Sequence, residues 1–75
     1  MGTIKQMFKK RILEYPEKYK PTYQVSYMKN EDAMETEFTV NSASTAENEL
    51  QDFWNDFCKD NGLKNNSVVA VVCVG

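Results

Sequence analysis

The sequence predicts an α+β fold in the order αββαβ, a three-stranded and mainly antiparallel sheet, strand order 2-1-3, packed against two helices. Three patterns carry this expectation. "TYQVSYMK" and "ETEFTV" alternate apolar and polar residues with the period of two that marks half-buried strands. "ENELQDFWNDFCKDNG" repeats its apolar residues at spacings of three and four, the period of a helix. "VVAVVCV", residues 68–74, is apolar throughout, and its five valines make it a third strand because β-branching favours the pleated chain.

The first helix is expected to begin at "TIKQ". There the Thr3 hydroxyl can accept from the Gln6 amide while the Gln6 side chain reaches back, a capping box. Ile4, Met7, Phe8, Ile12 and Tyr15 form one apolar stripe, and Pro16 ends the run. Arg11 projects into that stripe. Its stem can pack there while the guanidinium reaches water, or it can face a partner. Lys5, Lys9 and Lys10 lie elsewhere on the helix, toward solvent.

In the first strand Tyr23, Val25 and Tyr27 point one way, and Gln24 and Ser26 the other. "NEDAM" is expected to form a longer hairpin loop. The second strand then spans residues 35–40, with Phe38 and Val40 inward and Glu37 and Thr39 outward. The second helix opens on a Ser44-x-x-Glu47 capping box. Ala46, Leu50, Phe53, Trp54, Phe57 and Cys58 cover an arc of about 140°, the width of a core-facing stripe. Gly62 suits the left-handed position that ends a helix, and Leu63 can close onto Cys58. A right-handed crossover through this helix sets the third strand parallel to the second, beside the first, and the sheet becomes antiparallel throughout.

Seventy-five residues predict one small α+β domain, 1–75, with a thin stability margin. Hydrophobic residues at 41% and charged residues at 27% belong to a globular chain and not a disordered one. The opening residues lack a signal-like apolar core, and the terminal run is less than half of what spans a bilayer, so a cytoplasmic protein is expected. Eight lysines against one arginine fit an AT-rich bacterial or phage coding sequence. Charge is unevenly spread. Residues 1–29 carry seven Lys or Arg against two Glu, a net of +5, whereas residues 30–75 carry two Lys against nine Asp or Glu, a net of −7.

Little in the sequence points to catalysis, a metal or a cofactor, and a non-enzymatic protein is expected. There is no histidine, which removes the commonest general base and metal ligand. Cys58 and Cys73 are too few and too far apart for a disulfide framework or a zinc site, and Cys58 falls in the apolar stripe, where a thiol is inert. Glu35 and Glu37 read as exposed charges of one strand face, and the pair Glu31–Asp32 is short of the oxygen ligands calcium needs.

The terminal strand carries the functional expectation. Strict alternation puts Val68, Ala70, Val72 and Val74 on one face and Val69, Val71 and Cys73 on the other. Both faces are apolar, which belongs to a strand covered on both sides. Either the first helix supplies the second cover as a third layer, or another chain does. In order 2-1-3 this strand is also an edge, and a valine-rich edge without charge or proline is a pairing site. The expected function is therefore protein–protein contact, as a homodimer through the C-terminal strand, with Val69, Val71 and Cys73 at the interface. The acidic stripe Glu49, Asp52, Asp56 and Asp60 could also meet a basic partner or imitate phosphates. The alternative is nucleic-acid binding by Lys5, Lys9, Lys10 and Arg11, with Lys18, Lys20 and nearby tyrosines. No small-molecule ligand is expected.

Overall fold

The computed structural model describes residues 2–8 and 20–75. The chain forms helix α1 (Ile4–Met7), strands β1 (Thr22–Lys29) and β2 (Asp32–Thr39), a 3₁₀ turn (Ala43–Thr45), helix α2 (Ala46–Asn61) and strand β3 (Val68–Cys73). The strands make one antiparallel sheet in the order β2-β1-β3. This is the α+β arrangement the sequence predicts.

The α1 cap is as expected: the Thr3 hydroxyl accepts from the Gln6 backbone amide at 3.3 Å, and the Gln6 side-chain Oε1 accepts from the Thr3 backbone amide at 3.0 Å. The helix, however, ends at Met7. Phe8 is extended (φ −71°, ψ 124°), its amide closing the last turn on the Ile4 carbonyl at 2.7 Å. The longer expected helix thus stops one turn in, and its remainder lies outside the described residues.

The hairpin is also tighter than the sequence suggests. Lys29 pairs with Asp32, so the loop is only Asn30 and Glu31, and residues 32–34 belong to β2. Asn30 makes this possible at φ 58°, a left-handed conformation that its short polar side chain tolerates better than most.

The entry to α2 departs from expectation as well. Thr45, not Ser44, precedes the helix, and it makes no side-chain cap. Instead the Glu49 carboxylate, one turn in, accepts from the backbone amides of Asn41 (3.0 Å) and Ser42 (3.3 Å), from the Asn41 side-chain amide (2.8 Å) and from the Thr45 hydroxyl (2.8 Å). Ser42 caps the preceding 3₁₀ turn by accepting from the Ser44 amide at 3.3 Å. At the other end, Gly62 (φ 66°) takes the left-handed position, and the Leu63 amide donates to the Cys58 carbonyl at 2.9 Å, as expected.

One face of the sheet holds the core. Tyr23, Val25 and Tyr27 of β1 are buried against Leu50, Trp54, Ala46 and Cys58 of α2, with Ile4, Val40 and Val68 completing the cluster. Trp54 is fully buried, and its indole N–H donates to the Asn65 carbonyl at 2.9 Å, which satisfies the one polar atom it carries inside. Around it Tyr27 and Phe57 pack ring against ring, and Phe38 stacks on Phe53 with centroids 4.5 Å apart. Helix α1 packs on α2 and β3, and Phe8 meets Tyr23, a residue of the core face. Both helices therefore lie on the same side. The described part of α1 does not form a third layer.

Candidate interaction surface

Neither described helix covers the opposite sheet face. On the β2 side this face is polar: the Gln24 side-chain amide donates to the Glu35 carboxylate at 2.8 Å, Glu37 is exposed, and the Thr22 and Thr39 hydroxyls meet at 2.7 Å. On the β3 side it is apolar. Val69 and Val72 of β3 and Val74 just beyond it are 45%, 49% and 48% exposed, and the strand carries no charged residue. A groove of about 220 Å³ at the hairpin end, lined by Ser26, Met28, Ala33, Glu35 and Val69 among others, extends that apolar surface across β1.

A bulge decides which valines lie there. Tyr23, Gln24, Val25 and Ser26 pair in turn with Cys73, Val72, Val71 and Ala70, but Tyr27 pairs with Val68. Val69 is the extra residue, and it resets the alternation. Val68 is buried in the core, Val71 and Cys73 pack against the core on that same side, and Val69 turns outward. Of the three residues expected at an interface, Val69 is exposed while Val71 and Cys73 turn their side chains inward. Val72 and Val74, which strict alternation groups with Val68, are the outward pair. A β-bulge carries no glycine or proline here, so composition gives no sign of it.

The backbone of Val71 faces the other way from β1. The Val74 amide donates to the Thr22 carbonyl at 2.8 Å, and the Met28 amide to the Ser67 carbonyl at 3.1 Å, so the even-numbered residues of β1 bond toward β3. Alternation of an antiparallel ladder then aims the Val71 N–H and C=O at the outer edge. Among the described residues no strand pairs along that edge. Its beginning is occupied by Gly2, which forms an isolated bridge with Val68: the Gly2 amide donates to the Val68 carbonyl at 2.7 Å and the Val68 amide to the Gly2 carbonyl at 2.9 Å.

The other candidate residues are less gathered. Lys5 is exposed on α1, and Lys9, Lys10, Arg11 and Lys18 lie outside the described residues. On the acidic stripe, Asp52, Asp56 and Asp60 are exposed, but Glu49 is engaged by the turn before α2. Its partial burial favours the neutral carboxyl, yet the donors from Asn41, Thr45 and Ser42 outweigh this and hold it below the ordinary carboxylate range. Asp52, Asp56 and Glu49 rim a shallow cleft of about 360 Å³ whose floor is the Phe38–Phe53 stack. Cys58 is buried, and burial pushes its thiol pKa up, away from the reactive thiolate.

Among the described residues no helix is long and apolar enough to cross a membrane, and no three Cys, Asp or Glu side chains are grouped to hold a metal ion. No family model, curated protein or solved structure matches the chain.

Proposed function

We propose that this chain is a non-enzymatic protein that acts through protein contacts, and that its contact is a second copy of itself added along β3. The observation that carries this reading is the β3 edge together with the exposed row Val69, Val72 and Val74 beside it. Sheet edges of soluble proteins are commonly blunted by charge, proline or a covering segment. Beyond Val68, β3 has neither charge nor proline. Antiparallel pairing of two β3 strands about a two-fold axis closes the assembly and gives a six-stranded sheet, order 2-1-3-3-1-2. The valine rows of the two copies then become cross-strand neighbours, each pair contributing roughly 0.2–1 kcal/mol beside the new backbone hydrogen bonds.

Sedimentation velocity over a range of concentrations tests this. The wild type is expected to be dimeric in the micromolar range. Val72→Lys sets two like charges close to the seam while leaving the core untouched, and is expected to give a folded monomer. A wild type that stays monomeric at high micromolar concentration contradicts the reading.

A further inference from the structure

We infer that Asn61 is a site of spontaneous deamidation, and that the C-terminal cap of α2 holds it shut in the folded chain. The inference does not depend on the dimer.

Asn61–Gly62 is the one Asn–Gly pair in the sequence. Such a pair is open to a definite reaction. The Gly62 nitrogen gives its proton to hydroxide and attacks the Asn61 Cγ, unhindered because glycine has no side chain. An N–Cγ bond forms and the Cγ–Nδ2 bond breaks. Nδ2 takes a proton from water and leaves as ammonia, which restores the hydroxide. A second water opens the five-membered ring at either carbonyl, giving aspartate or its β-linked isomer.

Both residues are exposed at the end of α2, so water and hydroxide reach them. Geometry is what withholds the reaction. The Gly62 N–H donates to the Cys58 carbonyl, and the Asn61 side-chain amide to the Phe57 carbonyl at 2.8 Å. Asn61 is helical, and the ring closes only when its ψ swings well away from the helical value. The chain beyond Gly62 is pinned against that swing. The Leu63 amide donates to the Cys58 carbonyl at 2.9 Å, and the Leu63 side chain packs against the core. Two residues on, the Asn65 carbonyl accepts from the buried Trp54 indole at 2.9 Å. Reaction therefore requires local opening of the cap. The product does not rebuild what opened. It has lost the donor to Phe57, and its new negative charge, beside Asp60, meets the negative end of the helix dipole. Deamidation at Asn61 is thus a one-way mark of chains whose α2 end has let go.

Incubating the full chain at mildly alkaline pH, with mass spectrometry and peptide mapping, tests this. In urea, Asn61 is expected to convert ahead of every other asparagine. In the folded chain the same conversion is expected to run at least about tenfold slower, since opening breaks two or more hydrogen bonds worth a factor of about five each. Leu63→Ala loosens the segment after Gly62, and the folded variant should convert severalfold faster than wild type. Another asparagine converting first in urea overturns the site. A folded rate equal to that in urea overturns the protection, and so does a folded Leu63→Ala with the wild-type rate. Should Leu63→Ala not fold, the wild-type Leu63 amide decides. Its protection from hydrogen exchange should match the slowing at Asn61, because one opening exposes both, and a clear mismatch overturns the role of the cap.

Discussion

Glu49 shows how one side chain organises a segment that precedes its own helix. Four donors from Asn41, Ser42 and Thr45 converge on its carboxylate and tie the end of β2 to the first turn of α2. Glu49→Gln is expected to cost about 0.5–2 kcal/mol at neutral pH, the range for losing a helix-terminal cap. The pH dependence has a definite sign. The folded carboxyl titrates below its ordinary value, so its stabilisation is complete above the unfolded pKa and is lost as pH falls through the folded one. Urea midpoints of wild type and variant should therefore differ at pH 7 and converge in acid. Equal midpoints at pH 7 would show that the turn holds without the carboxylate. Trp54 is the other decisive residue. It is fully buried among Tyr27, Phe57 and Leu50, and Trp54→Ala should cost about 3–5 kcal/mol in a urea titration, enough to unfold so small a domain.

At the scale of elements, Gly62 is a clean case. A Cβ there meets nothing within 4 Å, so the only penalty for a side chain is the positive φ. Gly62→Ala should destabilise by roughly 1–2 kcal/mol with no change in the core, checked by thermal melting and near-ultraviolet circular dichroism. This helix end is legible in the sequence because glycine followed by an apolar residue is a chemical signature. So is the buried stripe of α2, and so is the alternation of β1. The misread elements share a cause. Asn30 turns the hairpin in two residues without glycine, Glu49 caps from a position no short motif marks, and the bulge at Val69 is hidden among valines. In each, the determining interaction depends on where a neighbouring element lies, and local pattern does not contain it. The α1 stripe shows the same limit, since Ile4 and Met7 are helical but Phe8 turns away to meet Tyr23.

At the scale of the molecule, the sheet has one dry face and one that no described helix covers, and β3 presents apolar residues to both. The bulge makes adjacent valines unequal, and a pair of variants reads that difference. Val71 packs against the core, so Val71→Lys buries an unpaired charge and should unfold the chain or destabilise it by several kcal/mol. Val72 is half exposed, so Val72→Lys should leave the melting temperature of the monomer nearly unchanged. Strict alternation would reverse the two, and a stable Val71→Lys beside an unfolded Val72→Lys would refute the bulge. That second face was foreseeable from the polar residues of β1 and β2, but the identity of its valines was not.

The central claim is that β3 is completed by a second β3, and the amide of Val71 reports on it most directly. Its N–H points to the outer edge, where no strand pairs among the described residues, and a strand from a second copy would hold it in the paired state. Amide exchange followed residue by residue should find Val71 rapidly exchanging in dilute solution and increasingly protected as protein concentration rises, while the amides between β1 and β2 stay slow throughout. A Val71 exchange rate that does not change with concentration, up to the high micromolar range, would contradict the account.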